Sequence, residues 1–482
     1  MHASAVPSPS YPHADPEVAD PGVAGLAPGG AATAVASVEA RPLADPLSLA
    51  GLTACVEDAR VAAQLTVGGP PDPTFFASLQ ARMRWAVPRL PAPYRAAVGE
   101  PLLRALDGMG PGGFARVLAR DPGRTGPARL LLDAAQAVLQ RAEGYQARAT
   151  AAFQEVVSDL YDGFLSAEDR RGVKPPDHGV LAPLVRWGPA EAGPYTWPAS
   201  VTETIGIGTA LVSLPAGNAR AGLLAWPALA HETAGHDVLS ADDGLRAELA
   251  RAVRRELVAA RLPPGVAAYW SDRIDEAASD VMGVLNMGPA AAVGLVGYFR
   301  ALNGAFRGVP ALRSAGRPED PHPADVTRAW LAAETVRLCS FRGAGRWADR
   351  LAAEADRDAG RIRLGDLEVT QEVARASAAA VARAVAKTRL VALEGRALSE
   401  IEDWSDRDEA IVAGLRRGLS DDGAAAKGAR PGGARPLAGA WAAHAVAAGV
   451  YEAVSGRTSP ARVQERMVDL LARMHRRNPA FG

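Results

Sequence analysis

The chain has 482 residues, 48% of them hydrophobic, and its 53 Lys and Arg stand against 54 Asp and Glu for a formal net charge of -1. That balance argues against a general attraction to nucleic acid or to an anionic membrane surface. Only two cysteines occur, Cys55 and Cys339, outside any metal or redox spacing. No disulfide framework follows, and both are expected to be buried thiols in a reducing compartment.

Residues 1–46 are rich in Pro, Ala, Gly and Ser and lack the basic start and apolar run of a secretory signal. They are expected to form a disordered leader on a cytoplasmic protein. Residues 47–167 carry amphipathic segments, such as 75–87 and 127–146, broken at Gly68-Gly69-Pro70-Pro71 and at Gly110-Pro111-Gly112-Gly113. They read as an N-terminal helical lobe.

The stretch from Lys174 to Pro198 is turn-rich, and His178 within it is expected to be structural. Val201 to Leu214 alternates and is β-branched, which predicts a strand. Lying just before the next helix, that strand is expected either to offer an edge to which an extended peptide adds by main-chain pairing or, through its glycines, to form a bulge or tight hairpin.

Ala228-Leu229-Ala230-His231-Glu232-Thr233-Ala234-Gly235-His236-Asp237-Val238-Leu239 then places two imidazoles and a carboxylate in an apolar helical run. Burying these groups is costly without a common partner, and a divalent metal is the natural one. The spacing is HExxxH. On a regular α-helix residues four apart differ by about 40° around the axis, but residues five apart differ by about 140° and cannot grip one ion. A π-turn, which adds one residue, would bring His231 and His236 back to one face, and Gly235 sits where the backbone must deform. Pro227, one turn earlier, starts or kinks the helix.

Downstream, Trp270, Ile274, Ala277, Val281 and Leu285 have helical apolar spacing, and Glu276 and Asp280 share one face of that helix. Glu276 would complete a His2Glu metal site with an open fourth position, and Asp280 would accept the second N–H of a ligand histidine. Asp275 and Asp272 are rival carboxylates. The uncharged window from Val281 to Phe299 is read as two buried helices joined near Gly288-Pro289 rather than as a membrane span.

His231-Glu232, His236 and Glu276-Ala277-Ala278-Ser279-Asp280 resemble the gluzincin metallopeptidases, whose third zinc ligand is a Glu on a second helix. The HExxGH form is similar to the motif of dipeptidyl peptidase III. His322-Pro323-Ala324-Asp325-Val326-Thr327-Arg328 is similar to the HPxxxxR stretch that follows the Glu helix in several gluzincin families, membrane CAAX-type peptidases among them. The second motif lacks the doubled Glu of dipeptidyl peptidase III, and the chain is short for two large lobes, so aminopeptidase-like specificity does not carry over.

The resemblance implies a zinc-dependent hydrolase, a metallopeptidase acting on peptide or protein substrates, with Zn2+ held by His231, His236 and Glu276. Glu232 would be the general base, and His322 or Arg328 would stabilise the oxyanion, with Tyr269 or Tyr298 as alternatives. His322-Pro323 could instead simply cap the helix that begins there. The same residues would also serve a hydrolase of non-peptide amides or esters. A catalytically silent zinc-binding scaffold is the third class, and Glu232 argues against it, since a structural site has no need of a base.

After Arg328 the chain reads as Ala-rich helix from Ala329 to about Arg417, then a flexible linker from Ser420 to Pro436, then a helical pair at 437–455 and 459–476. His444 is expected to be a core residue. The expected architecture is mainly α with a small β-sheet (α+β): a helical lobe at 47–167, a zincin-like core at 168–335 and a helical lobe at 336–482.

Overall fold

A three-stranded sheet lies between two hydrophobic cores and carries the wall of the principal cleft. Its strands are β1 (Leu184–Gly188), β2 (Tyr195–Trp197) and β3 (Leu211–Pro215), in the order β1-β3-β2, with β1 parallel and β2 antiparallel to β3. Leu184 and Leu211 enter a smaller core built by the Phe76–Ala86, Glu100–Arg120 and Pro127–Ala142 helices. Their neighbours Val185 and Val212 enter the larger one. Side chains alternate across a strand, so a sheet covered on both faces reads as a continuous apolar run.

This computed structural model describes residues 48–68, 74–165, 170, 172–179, 181–420 and 439–478. The expected leader (1–46) and nearly all of the expected linker (420–436) lie outside the described residues. The larger core draws on the Leu52–Gln64, Ala147–Leu165, Pro289–Arg307, Ala442–Val454 and Pro460–His475 helices as well as on both motif helices. Rings of Phe153, Trp187 and Trp226 cluster at its centre, with centroids 5.0 to 6.5 Å apart. Cys55 and Cys339 are both buried and free.

The fold is mainly helical with two small three-stranded mixed sheets, and several elements differ from the sequence expectation. Val201 to Leu214 is not one strand: Ala199–Thr202 is a helical turn, Glu203–Ile205 a 3-10 turn, and only Leu211–Pro215 extends. The Thr202 hydroxyl lies 2.8 to 3.2 Å from the carbonyls of Ala199, Ile207 and Thr209, and Gly206 takes φ 81°, so local side-chain bonding beats β-propensity there. β3 is also the central strand, so it has no free edge to offer. The edge strands are β1 and β2, and β2 is the one whose residues line the cleft.

The Ala-rich region after Arg328 is likewise interrupted. A hairpin of β5 (Ile362–Leu364) and β6 (Leu367–Val369), turning at Gly365-Asp366, joins β4 (Ala315–Gly316) in the second sheet. The Gly110-Pro111 break proves to be a kink inside the Glu100–Arg120 helix, with Gly110 at φ 62°. Val281 to Phe299 does form two helices, Ile274–Met287 and Pro289–Arg307, hinged at Gly288 with φ 57°. Among the described residues no helix is long and apolar enough to cross a membrane.

Candidate metal centre

Pro227 sits just before the first motif helix, which turns π-helical from Ala230 to Asp237, the deformation that HExxxH requires. His231 and His236 are thereby brought together, their rings at right angles (89°) with centroids 4.7 Å apart. Ligand-capable atoms of His231, Glu232 and His236 all lie within 4.8 Å of one another, so the three form a group able to hold a metal ion.

The second motif meets the first face to face. The apolar spacing from Trp270 to Leu285 predicts one regular helix, but the chain breaks at Arg273 (φ -113°, ψ 25°), ending the Pro264–Asp272 helix and starting Ile274–Met287. Arg273 holds that corner by donating to the Pro318 carbonyl at 2.7 Å while its guanidinium lies 4.2 Å over the Tyr269 ring. The break places Asp275 and Glu276 in a first helical turn, where unpaired backbone N–H groups favour negative charge.

Four side chains then converge on Glu276. Its Oε2 lies 3.4 Å from His231 Nε2 and 3.3 Å from Arg328 Nη2, and its Oε1 lies 3.5 Å from His236 Nε2 and 3.4 Å from His322 Nε2. The far nitrogen of each motif imidazole faces a carboxylate: His231 Nδ1 is 2.9 Å from Asp280 Oδ1, and His236 Nδ1 is 3.0 Å from Asp275 Oδ2. Arg328, buried and 4.7 Å over the Phe299 ring, donates twice to Asp280, through Nε at 2.7 Å and Nη2 at 2.8 Å.

Charge balance follows from this packing. Burial disfavours a charged His231, but Asp280 and Glu276 outweigh it and raise its pKa to about 10. Burial likewise disfavours ionised Glu276, yet His231, Arg328 and His236 hold its carboxyl well below the usual range. Asp280 is lowered against its burial by Arg328 and His231. His236 is raised, Asp275 prevailing over burial. At neutral pH the carboxylates are therefore fixed as anions facing the imidazoles.

Seven of the residues singled out in the sequence, His231, Glu232, His236, Glu276, Asp280, His322 and Arg328, line one cleft of about 560 Å³. His322 is half-exposed at the rim; its Nδ1 lies 2.8 Å from Asp320 Oδ1, and the helix it was thought to cap begins at Asp325 without a side-chain cap. Tyr298 lines the cleft, and its buried hydroxyl makes no good hydrogen bond. Tyr269 is not among the lining residues, and its hydroxyl accepts the Ala324 N–H at 2.9 Å. His178 and His444 are not among the residues lining the cleft: His178 contacts Glu203 and Asp243, and His444 is buried against Asp408.

One participant escaped the sequence reading, and another was read in a different role. Thr196, on β2, puts its hydroxyl 2.9 Å from Glu232 Oε2 and 3.1 Å from the Glu232 carbonyl; nothing in a three-residue strand signals that contact. Asp275, weighed as a rival ligand, instead partners His236, and its position one residue before Glu276 was the available clue. Comparison with protein-family models, with curated proteins and with solved structures returned no match.

Proposed function

We propose that this chain is a zinc-dependent hydrolase that cleaves peptide bonds, with His231, His236 and Glu276 as the metal ligands. The observation that carries the proposal is the convergence of two imidazole Nε2 atoms on one buried carboxylate that makes little use of them. Glu276 Oε2 is buried and completes no hydrogen bond, and the two Nε2 to carboxylate separations, 3.4 and 3.5 Å, exceed a good hydrogen bond. Each taken singly is near the edge of about 3.4 Å of a tetrahedron with metal–ligand bonds of ~2.1 Å, His231 being measured to Oε2 and His236 to Oε1. His2Glu is a donor set suited to zinc, and the cleft leaves a side open, as a catalytic site must.

When bound, zinc supplies Lewis acidity, polarising a carbonyl and easing the loss of a proton from water. Everything else falls to the chain. Glu232, facing the cleft beside both imidazoles, takes the water's proton and passes it to the leaving amine. Thr196 fixes the Glu232 carboxylate through the 2.9 Å contact and so ties the base to the substrate wall. Asp275 hydrogen-bonds His236 Nδ1, and Asp280 pairs by charge with His231 Nδ1 at 2.9 Å, so both Nε2 atoms turn inward.

Arg328 takes a positioning role: two of its donor groups are committed to Asp280, and it neutralises the carboxylate pair from behind. Oxyanion stabilisation passes to His322, whose Nε2 reaches the site from the half-exposed rim. The free edge of β2 favours a peptide over other amides, because an extended backbone can add there alongside Glu232. Metal analysis of the purified protein, followed by cleavage of a peptide library with and without a chelator, tests this reading. About one zinc per chain and chelator-sensitive cleavage are expected; a metal-free protein that refuses zinc would overturn it.

A further inference from the structure

Beyond the metal-capable cluster the same cleft runs on into an apolar recess. The Pro289–Arg307 helix turns Leu295, Phe299 and Leu302 toward the space, and the buried Leu224, Pro227 and Val284 also line it, Leu224 and Pro227 packing directly on that helix at Gly297 and Gly294. Leu295, Phe299 and Leu302 follow helical spacing on one face and are only partly buried, packed at the margin of the core. Apolar side chains left open inside a concave site next to reactive groups are the mark of a ligand pocket, and about 560 Å³ falls within the usual range for one.

The charges around the cleft define what does not enter. Arg328 is committed to Asp280, and Arg246, also lining the cleft, lies 3.3 Å from Asp275 Oδ1. Both cations lie against carboxylates, so a phosphate, a sulfate or an acidic side chain would have to compete with them. A lysine or arginine side chain in the recess would lose its hydration to apolar walls.

We infer that the recess receives one large apolar side chain of the substrate, leucine- or phenylalanine-like, from a residue flanking the scissile bond. This assignment rests on the hydrolase reading above and adds the substrate class. β2 and the recess then divide the work: main-chain pairing aligns the peptide, and the apolar wall sets which bond is presented to Glu232.

The test uses zinc-loaded protein and a peptide series varying one flanking residue through Leu, Phe, Ala, Asp and Lys. For Leu or Phe over Ala at one flanking position, kcat/KM should rise about tenfold or more, with Asp and Lys below Ala. The same order should appear in the affinity of uncleaved peptides for Glu232→Gln protein. Ala291→Leu, which narrows the recess, should reduce the Phe preference more than the Ala rate. Cleavage without apolar preference, or with preference for a charged residue, overturns the assignment while leaving the hydrolase reading intact. If nothing is cleaved, the hydrolase reading fails, and the affinities still decide the recess: equal binding of Leu and Ala peptides overturns it, and tighter binding of Leu and Phe peptides supports it.

Discussion

Gly235 and Ser279 fix how closely the two motif helices approach: a Cβ placed on Gly235 would lie 2.5 Å from Ser279 Cβ and 2.7 Å from its Cα. Both are closer than real atoms allow, so the glycine in HExxGH serves close packing as well as the π-turn. Gly283 plays a milder version of this part, its hypothetical Cβ falling 3.4 Å from the His231 backbone nitrogen. The distance from His231 and His236 to Glu276 depends on these two contacts.

Gly235→Ala should therefore push the helices apart, destabilising the fold by about 1–3 kcal/mol as overpacked cores do. Zinc affinity should fall with it. Urea denaturation of the chelated protein and competition with a chromophoric chelator measure the two effects. Unchanged affinity would mean that the helix spacing does not set the site.

The ligands and their partners should separate by severity. His231→Ala, His236→Ala and Glu276→Ala should each lose most of the zinc. Asp280→Asn and Asp275→Asn keep all three proposed ligands and should weaken affinity by roughly 10- to 100-fold. Stoichiometric zinc surviving all three ligand substitutions would remove the site.

Arg328 distinguishes positioning from catalysis. Arg328→Leu leaves Asp280 and Glu276 facing each other without their buried cation, and breaking such a pair typically costs about 3–5 kcal/mol. A large fall in the midpoint of urea denaturation is expected. A variant of wild-type stability with impaired turnover would return Arg328 to the oxyanion role that the sequence suggested.

Metal-free and zinc-loaded protein should diverge with pH. In the metal-free form His231 titrates near 10 against an ordinary 6.5, so its stabilising contribution is complete below pH 6.5 and is lost as the pH rises through about 10. Zinc needs the neutral imidazole and stops competing with that proton as the pH rises. The Tm difference between the two forms should grow from pH 6.5 to 10. A constant difference would contradict the placement of His231 against Asp280 and Glu276.

The gathering of these residues in one cleft was legible because it depends on residue types at fixed spacing. His231, Glu232, His236, Glu276, Asp280, His322 and Arg328 were all readable, and the five-residue step between the histidines demanded the π-turn that Ala230–Asp237 forms. What hid were elements whose structure comes from distant contacts. β2 spans three residues and owes its place to pairing with β3 and to Asp133, which accepts from Tyr195 at 2.7 Å and from Trp197 at 2.8 Å. The helix break at Arg273 is set by carbonyls more than forty residues away, at Arg317 and Pro318. The β5–β6 hairpin left a local trace in Gly365-Asp366, which the surrounding Ala-rich helical composition masked.

Whether Glu232 is a base beside a metal or a ligand to it is decided by Glu232→Gln. The variant should keep the fold and about one zinc per chain while peptide hydrolysis falls by at least roughly 10²- to 10⁴-fold, the range typical of general acid–base groups. Glu232→Gln protein that holds zinc and cleaves the same peptides as fast as the wild type would show that Glu232 is not the base, even with every metal ligand correctly assigned.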